Sequence, residues 1–258
     1  MNNKMESVNW WNYVRDEELK PALKILSKYD HIKILDVGGG NGYQAKKISD
    51  LGYSIKSIDI SSHEKMYFNV EKIDVTQLPF PDKSFNVILT SLVLQHIENL
   101  DLGFKEMNRV LSDDGILIHL VPTSYWSLFT NFWHYYQIPK FLIKSISKKN
   151  PIKEITDNDD ISAEENQQKK KSKILKLFLN PLDQNFSFIH DAYYFSSFSW
   201  KKLLKKNSFQ IIKIEKCPIL SSGYGIFKNR FQNVRRKFSK IFPTTLCIVL
   251  KKSDLINN

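Results

Sequence analysis

Between residues 30 and 121, short unbroken apolar runs alternate with segments whose apolar residues recur every three or four positions. Lys33-Ile-Leu-Asp-Val37 is a compact run that ends in glycines, which predicts a buried strand. Asn41–Leu51 predicts a helix that packs through Tyr43, Ala45 and Ile48, with Gly52 as its stop. Ser54–Ile60 predicts a second strand. Tyr67–Val75 and Ser84–Ser91 predict two more, separated by the proline-rich turn Leu78-Pro-Phe-Pro-Asp82. From Gln95 to Leu111, the residues Ile97, Leu100, Phe104, Met107 and Leu111 fall at helical spacing. Ser112-Asp-Asp-Gly115 ends that helix, and Ile116–Val121 is a continuous apolar strand. Strands alternating with helices predict an α/β fold, a parallel sheet covered by helices on both faces.

The alternation breaks at Pro122. Tyr125, Trp126, Phe129, Phe132, Trp133 and Tyr136 fall at helical spacing and predict one aromatic face, and Pro139 is expected to interrupt that helix. Phe141-Leu-Ile143 and the lysines 144, 148 and 149 follow. Residues 150–173 are polar and charged and read as an exposed loop. Trp200–Lys206 predicts a short helix, while Phe209–Ile214 and Thr245–Leu250 predict two further strands. No internal repeat is present. The whole chain, 1–258, therefore reads as one domain with a core at 30–121, an insertion at 122–200 and a closing pair of strands at 201–250.

Composition narrows this picture. The 258 residues are 42% hydrophobic and 25% charged, enough to bury a core and unlike a disordered chain. The two cysteines, Cys217 and Cys247, give neither a disulfide framework nor zinc-ligand spacing, so no metal site is expected. Met1–Asp16 has no apolar signal-like stretch, and no run is long enough to span a membrane. A cytoplasmic location, soluble or peripheral to the inner face of the membrane, is the expectation. Charge is uneven: net −3 over residues 1–121 against net +14 over residues 122–258. The basic half points to an anionic partner, or to a lysine-rich solvated surface, and both readings stay open.

The densest chemical signal is Ile34-Leu-Asp-Val-Gly-Gly-Gly-Asn-Gly42. A strand delivers the acid Asp36, followed by Gly38, Gly40 and Gly42 at alternate positions directly before a helix. Such glycines let the chain turn tightly and a ligand approach the backbone, and the helix N-terminus beyond offers free N–H groups. Asp59 stands at the tip of the second strand, where an acid accepts hydrogen bonds from ribose hydroxyls in this topology.

In these residues the chain resembles the class I S-adenosylmethionine-dependent methyltransferases, in particular the group that acts on small molecules. The resemblance covers about residues 30–121 and, more loosely, the last two strands. Asp36-Val-Gly-Gly-Gly-Asn-Gly42 is similar to the family's D-x-G-x-G-x-G motif. It implies a doubly wound, mostly parallel seven-stranded sheet with the last strand antiparallel and a helical cap inserted at 122–200. It further implies S-adenosylmethionine as cofactor, with the loop of Asp36, Gly38, Gly40 and Gly42 behind its methionine and ribose. Asp59, with Ile60 beside it, would take the ribose hydroxyls, Asp74 and Val75 the adenine, and the backbone near Ser91 the methionine end. Arg109-Val-Leu-Ser-Asp-Asp-Gly-Ile-Leu117 is similar to the family's turn into the fifth strand. A rival pattern exists: Gly40-Asn-Gly-Tyr-Gln-Ala45 satisfies the G-x-G-x-x-A fingerprint of NAD-dependent oxidoreductases, but leaves Asp36 and the segment Leu78–Phe85 without a role. A cofactor-binding scaffold without turnover is the other alternative.

Methyl transfer asks a protein mainly to align the reactants and exclude water, and a base is needed only for a hydroxyl or protonated amine. His96, after the fourth strand, and His190, beside Asp191, are the candidate bases, whereas His119 and His134 read as structural. The expected acceptor is a small or amphipathic molecule, such as a lipid-linked saccharide or quinone precursor, methylated at oxygen in the first place, with nitrogen and carbon as the alternatives. The aromatic stretch within 122–149 is either a lid over the site or a contact with the membrane edge. A nucleic-acid acceptor ranks lower. No RNA-binding module is evident, and Ser91-Leu-Val-Leu94 stands where amino-methylating DNA enzymes carry an N-P-P-Y-like tetrad.

Overall fold

The computed structural model describes residues 2–147, 193–222 and 230–253, with side chains described from Trp10 to Tyr136 in the first stretch. Its strands are β1 (Lys33–Val37), β2 (Ser54–Asp59), β3 (Val70–Lys72), β4 (Phe85–Ser91), β5 (Leu111–Pro122), β6 (Phe209–Lys216) and β7 (Thr245–Lys252). The helices are α1 (Asn2–Leu26), α2 (Tyr43–Asp50), α3 (Leu100–Val110), α4 (Ser124–Ser147), α5 (Ser197–Lys206) and α6 (Gln232–Ile241). The strands form one seven-stranded sheet in the order β3-β2-β1-β4-β5-β7-β6. β1 to β5 run parallel, and β7 is antiparallel to both β5 and β6.

Central strands read as continuous apolar runs because both faces of the sheet are covered. Along β1, Ile34 joins a cluster with Leu19, Leu26, Ile48 and Leu120, while its neighbour Leu35 joins the opposite cluster with Phe104, Met107, Leu117 and Trp200. The period of two in a strand sends successive side chains to opposite faces, so each layer of helices meets its own row. Trp200 completes one layer by donating its Nε1–H to the Pro122 carbonyl at 2.9 Å.

Several boundaries differ from the sequence expectation, each for a local reason. β3 spans three residues rather than Tyr67–Val75, since pairing with β2 is confined to Ser57–Asp59. The helix expected over Gln95–Leu111 is a 3₁₀ turn, Leu94–His96, followed by α3, whose N-terminus is capped by Asn99 Oδ1 accepting from the Leu102 N–H at 3.1 Å. β5 begins at Leu111 rather than Ile116, because Leu111 already pairs with Phe85 before Ser112–Gly115 shift the register. α4 continues through Pro139 to Ser147, so the lost N–H does not end it. Nor do its aromatics share one face. Trp126 packs edge-on against Phe195 over the core, whereas Tyr125 and Phe129 meet Phe242. Residues 125 and 126 point in directions about 100° apart on a helix. The loop expected at 150–173 lies outside the described residues. No described helix is long and apolar enough to cross a membrane.

The largest departure is α1, for which the sequence reading proposed no element. Trp10, Val14, Leu19, Ala22 and Leu26 are buried, and with them the acids Glu17 and Glu18. Glu18 accepts from Thr245 Oγ1 at 2.7 Å and from Arg15 Nη1 at 3.0 Å, and Glu17 accepts from Arg236 Nη2 at 2.8 Å. These bonds fix α1 to β7 and α6. Thr245→Val keeps the shape but removes the hydroxyl donor from a buried carboxylate, which should lower stability by about 1–3 kcal/mol. Thr245→Ser should retain most of it. Chemical denaturation of the three proteins checks this, and equal losses for both substitutions would assign the effect to packing.

Candidate functional site

β1 stops at Val37 because the next residues take backbone angles open chiefly to glycine: φ is 75° at Gly38 and 77° at Gly42. The loop between β1 and α2 is then tied to the end of β2. The N–H groups of Gly38 and Gly39 both donate to the Ile58 carbonyl, at 2.8 and 3.0 Å. Asp59 takes the Gly40 N–H on Oδ2 and the Ser61 N–H on Oδ1, each at 2.8 Å. A Cβ at Gly38 would lie 2.3 Å from Val93 Cγ2, so Val93 covers this turn closely. Beneath the loop, Asp36 is buried and accepts from Ser57 Oγ at 2.7 Å. Burial pushes its carboxyl up to about 6, the Ser57 bond opposes this, and the nearby Asp59 charge adds to it.

The strand order reverses between β1 and β4, and at the C-terminal ends of β1 and β2 lies a cavity of about 380 Å³. Gly38, Asp59, Ile60, Asp74 and Val75 line it, as does His96. Asp74 caps its own turn, accepting the Thr76 N–H on Oδ1 at 2.8 Å. The remaining expected cofactor residues do not line this cavity. Asp36 supports the loop from below. Gly40 is held by Asp59, and Gly42 precedes α2 with its α-carbon against the Phe68 backbone. Ser91 ends β4, and the left-handed φ of 52° at Leu92 then brings Val93 over Gly38. Sequence reasoning missed Val93, Ile73, Thr76, Ile97 and Asn99, all lining residues. An apolar residue near the end of a strand carries no signal of its own, and the turn at Leu92 uses a residue that rarely adopts that angle.

His96 is exposed at the end of the 3₁₀ turn and lies at the cavity, whereas His190 falls outside the described residues. His119 is wholly buried on β5, with Nδ1 2.6 Å from Thr90 Oγ1. Burial pushes it down to about 3, so it is neutral in the folded protein. Among the described residues, no group of three or more His, Cys, Asp and Glu side chains is placed to hold a metal ion.

The position of Asp36 generates a pH test. Below pH 3.8 its carboxyl is neutral in both folded and unfolded chains. As pH rises through about 6, the folded state must bury a charge that the unfolded state carries in water, so this group's contribution to stability is lost over that window. Asp36→Asn removes the titration. Its stability relative to the parent should rise between pH 4 and 7 by urea denaturation, and parallel profiles would refute the assignment.

Residues 35–119 match the methyltransferase domain family. The demethylmenaquinone methyltransferase of Chlorobaculum tepidum is 30% identical over 128 residues, 46% of this chain and 53% of its own. The ubiquinone biosynthesis O-methyltransferase of Pelagibacter ubique is 28% identical over 116 residues, 41% of this chain and 47% of its own. The chain thus spans about half the length of these curated relatives. Among solved structures, the 1,6-didemethyltoxoflavin N1-methyltransferase of Burkholderia thailandensis, with bound 1,6-didemethyltoxoflavin and S-adenosylhomocysteine, superposes with a TM-score of 0.51. That likeness covers 92% of this chain and 79% of that one at 14% identity, and it concerns the fold. Residues 35–119, which carry the glycine loop between β1 and α2 and the cavity-lining acids Asp59 and Asp74, thus match the methyltransferase domain family, and the seven-stranded sheet described above shares the fold of that solved methyltransferase.

Proposed function

We propose that this protein transfers a methyl group from S-adenosylmethionine to an oxygen of a small, amphipathic acceptor. The observation that carries the reading is the single cavity in which two strand-end acids, Asp59 and Asp74, stand beside the apolar Ile60 and Val75. A nucleoside needs that combination: acceptors for its hydroxyls and amine, and apolar surfaces for the faces of its base. Each Asp59 oxygen already holds one backbone N–H and retains a lone pair for a ribose hydroxyl. Asp74 has Oδ2 available for the adenine amine, with Ile60 and Val75 flanking the base. The tight contact of Gly38 with Val93 leaves room only for a backbone surface behind the ligand.

S-adenosylmethionine, when bound, supplies a methyl group already activated on a positively charged sulfur. The chain's contribution is placement: the loop and Asp59 hold one partner still while the cavity wall excludes water. His96 stands at the cavity and is the candidate to accept the proton of an acceptor hydroxyl. We assign acceptor recognition to residues 122–200. The partial relatives named for quinone pathways support an amphipathic acceptor, and one of them is named an O-methyltransferase. Two buried cysteines, neither in a disulfide, suit a reducing, cytoplasmic setting.

Calorimetric titration with S-adenosylmethionine, S-adenosylhomocysteine and NADH tests the cofactor. Micromolar binding of the first two and none of the third is expected. Binding of NADH alone would transfer the site to a dinucleotide, and binding of none by the folded protein would remove the reading. Asp59→Ala should weaken S-adenosylmethionine at least about tenfold, through lost hydroxyl acceptors and a loosened loop. His96→Gln should leave that affinity intact and lower turnover by about 10²-fold or more with a hydroxyl acceptor. Unchanged turnover would deny it the role of base.

A further inference from the structure

The circumference of α6 divides into three strips. Arg235 and Ser239 face inward and are buried. The Arg235 guanidinium donates to the carbonyls of Leu220 and Ser222 at 2.7 and 2.5 Å and lies 4.1 Å above the Trp10 ring. That anchor fixes the rotation of the helix. A second strip consists of Phe231, Val234, Phe238 and Ile241, spaced i, i+3, i+7 and i+10, and these side chains are 61, 55, 47 and 66% exposed. The third strip is cationic: Lys237 and Lys240 are exposed on the helix, with Arg230 just before it. The helix sequence QNVRRKFSKI contains no acid.

The apolar strip does not stop at α6. Phe238 and Phe242 lie 5.7 Å apart between ring centroids, and Phe242 meets Tyr125 of α4 edge-on at 5.3 Å. From there the exposed Phe132 and Tyr136 continue along α4. An ordinary solvated helix face keeps its apolar residues inward. Here the Arg235 anchor holds a row of aromatic and aliphatic side chains in water, contiguous across two helices and bordered by cations.

We propose that α6 and the exposed aromatics of α4 form a docking surface for an anionic lipid bilayer. α6 lies flat in the interface, with Phe231, Val234, Phe238 and Ile241 at the acyl boundary and Arg230, Lys237 and Lys240 on lipid phosphates. Charge complementarity selects this occupant. An apolar strip beside an acid-free row of cations matches a surface that offers hydrocarbon below and negative phosphate above. The proposal rests on the geometry of α6 and is independent of the methyl-transfer reading.

Flotation of the full chain tests it, with vesicles of phosphatidylcholine alone and with about one-third phosphatidylglycerol. Binding to the anionic vesicles should be at least about tenfold stronger and should weaken as salt is raised. Val234→Asp with Phe238→Asp, and separately Lys237→Glu with Lys240→Glu, should each reduce binding about tenfold or more. All four positions are exposed, so both variants should keep the parent's melting temperature and its calorimetric response to S-adenosylmethionine. Equal binding to both vesicles, or no loss in either variant, would overturn the proposal. So would failure to float together with a dimer, seen by ultracentrifugation, that the Val234→Asp and Phe238→Asp substitutions dissolve, which would make the strip a self-association interface.

Discussion

The Asp59 carboxylate gathers the backbone N–H groups of Gly40 and Ser61, one on each oxygen, at the point where β2 ends. Two further N–H groups, from Gly38 and Gly39, converge on the carbonyl of Ile58 one residue earlier. The glycine loop therefore has its shape because the neighbouring strand terminates beside it with acceptors facing it. Without the three bonds from its own N–H groups, a run of glycines has many accessible conformations and no reason to prefer one. The cavity wall at Gly38 and the position of Ile60 both follow from this junction.

A second constraint acts below it. A Cβ at Gly39 would fall 1.9 Å from Ser57 Oγ and 2.6 Å from Asp36 Oδ2, so the loop rests directly on a buried hydrogen bond between β1 and β2. Asp36 thus supports the loop from below. Its raised protonation range is what burial without a cationic partner produces.

Much of this was legible in the sequence wherever a local pattern and a global role coincide. The order of β1, β2, β4 and β5 follows from apolar runs, and the acids at positions 59 and 74 stand where strands end. What escaped depends on partners distant in the chain. α1 buries Glu17 and Glu18, which make its inward face look polar until Thr245 and Arg236 are brought to it. Val93 reaches Gly38 through a left-handed Leu92, an angle that sequence does not announce. The aromatics of α4 share helical spacing yet divide between core and surface, because only their neighbours decide which direction is inside. The same holds for α6, whose rotation is set by Arg235 reaching Leu220 and Ser222.

β7 follows β6 in the chain but lies between β6 and β5 in the sheet. β6 therefore has no strand to pair with when it first forms, and the ladder edge of β5 stays open until β7 inserts. The Glu18 carboxylate waits on the same event, since its Thr245 donor is 227 positions away on β7. One strand thus closes the sheet between β5 and β6 and supplies the Glu18 donor. Until β7 is in place the chain carries an open strand edge, the kind of surface that exposes a folding chain to aggregation or chaperone capture.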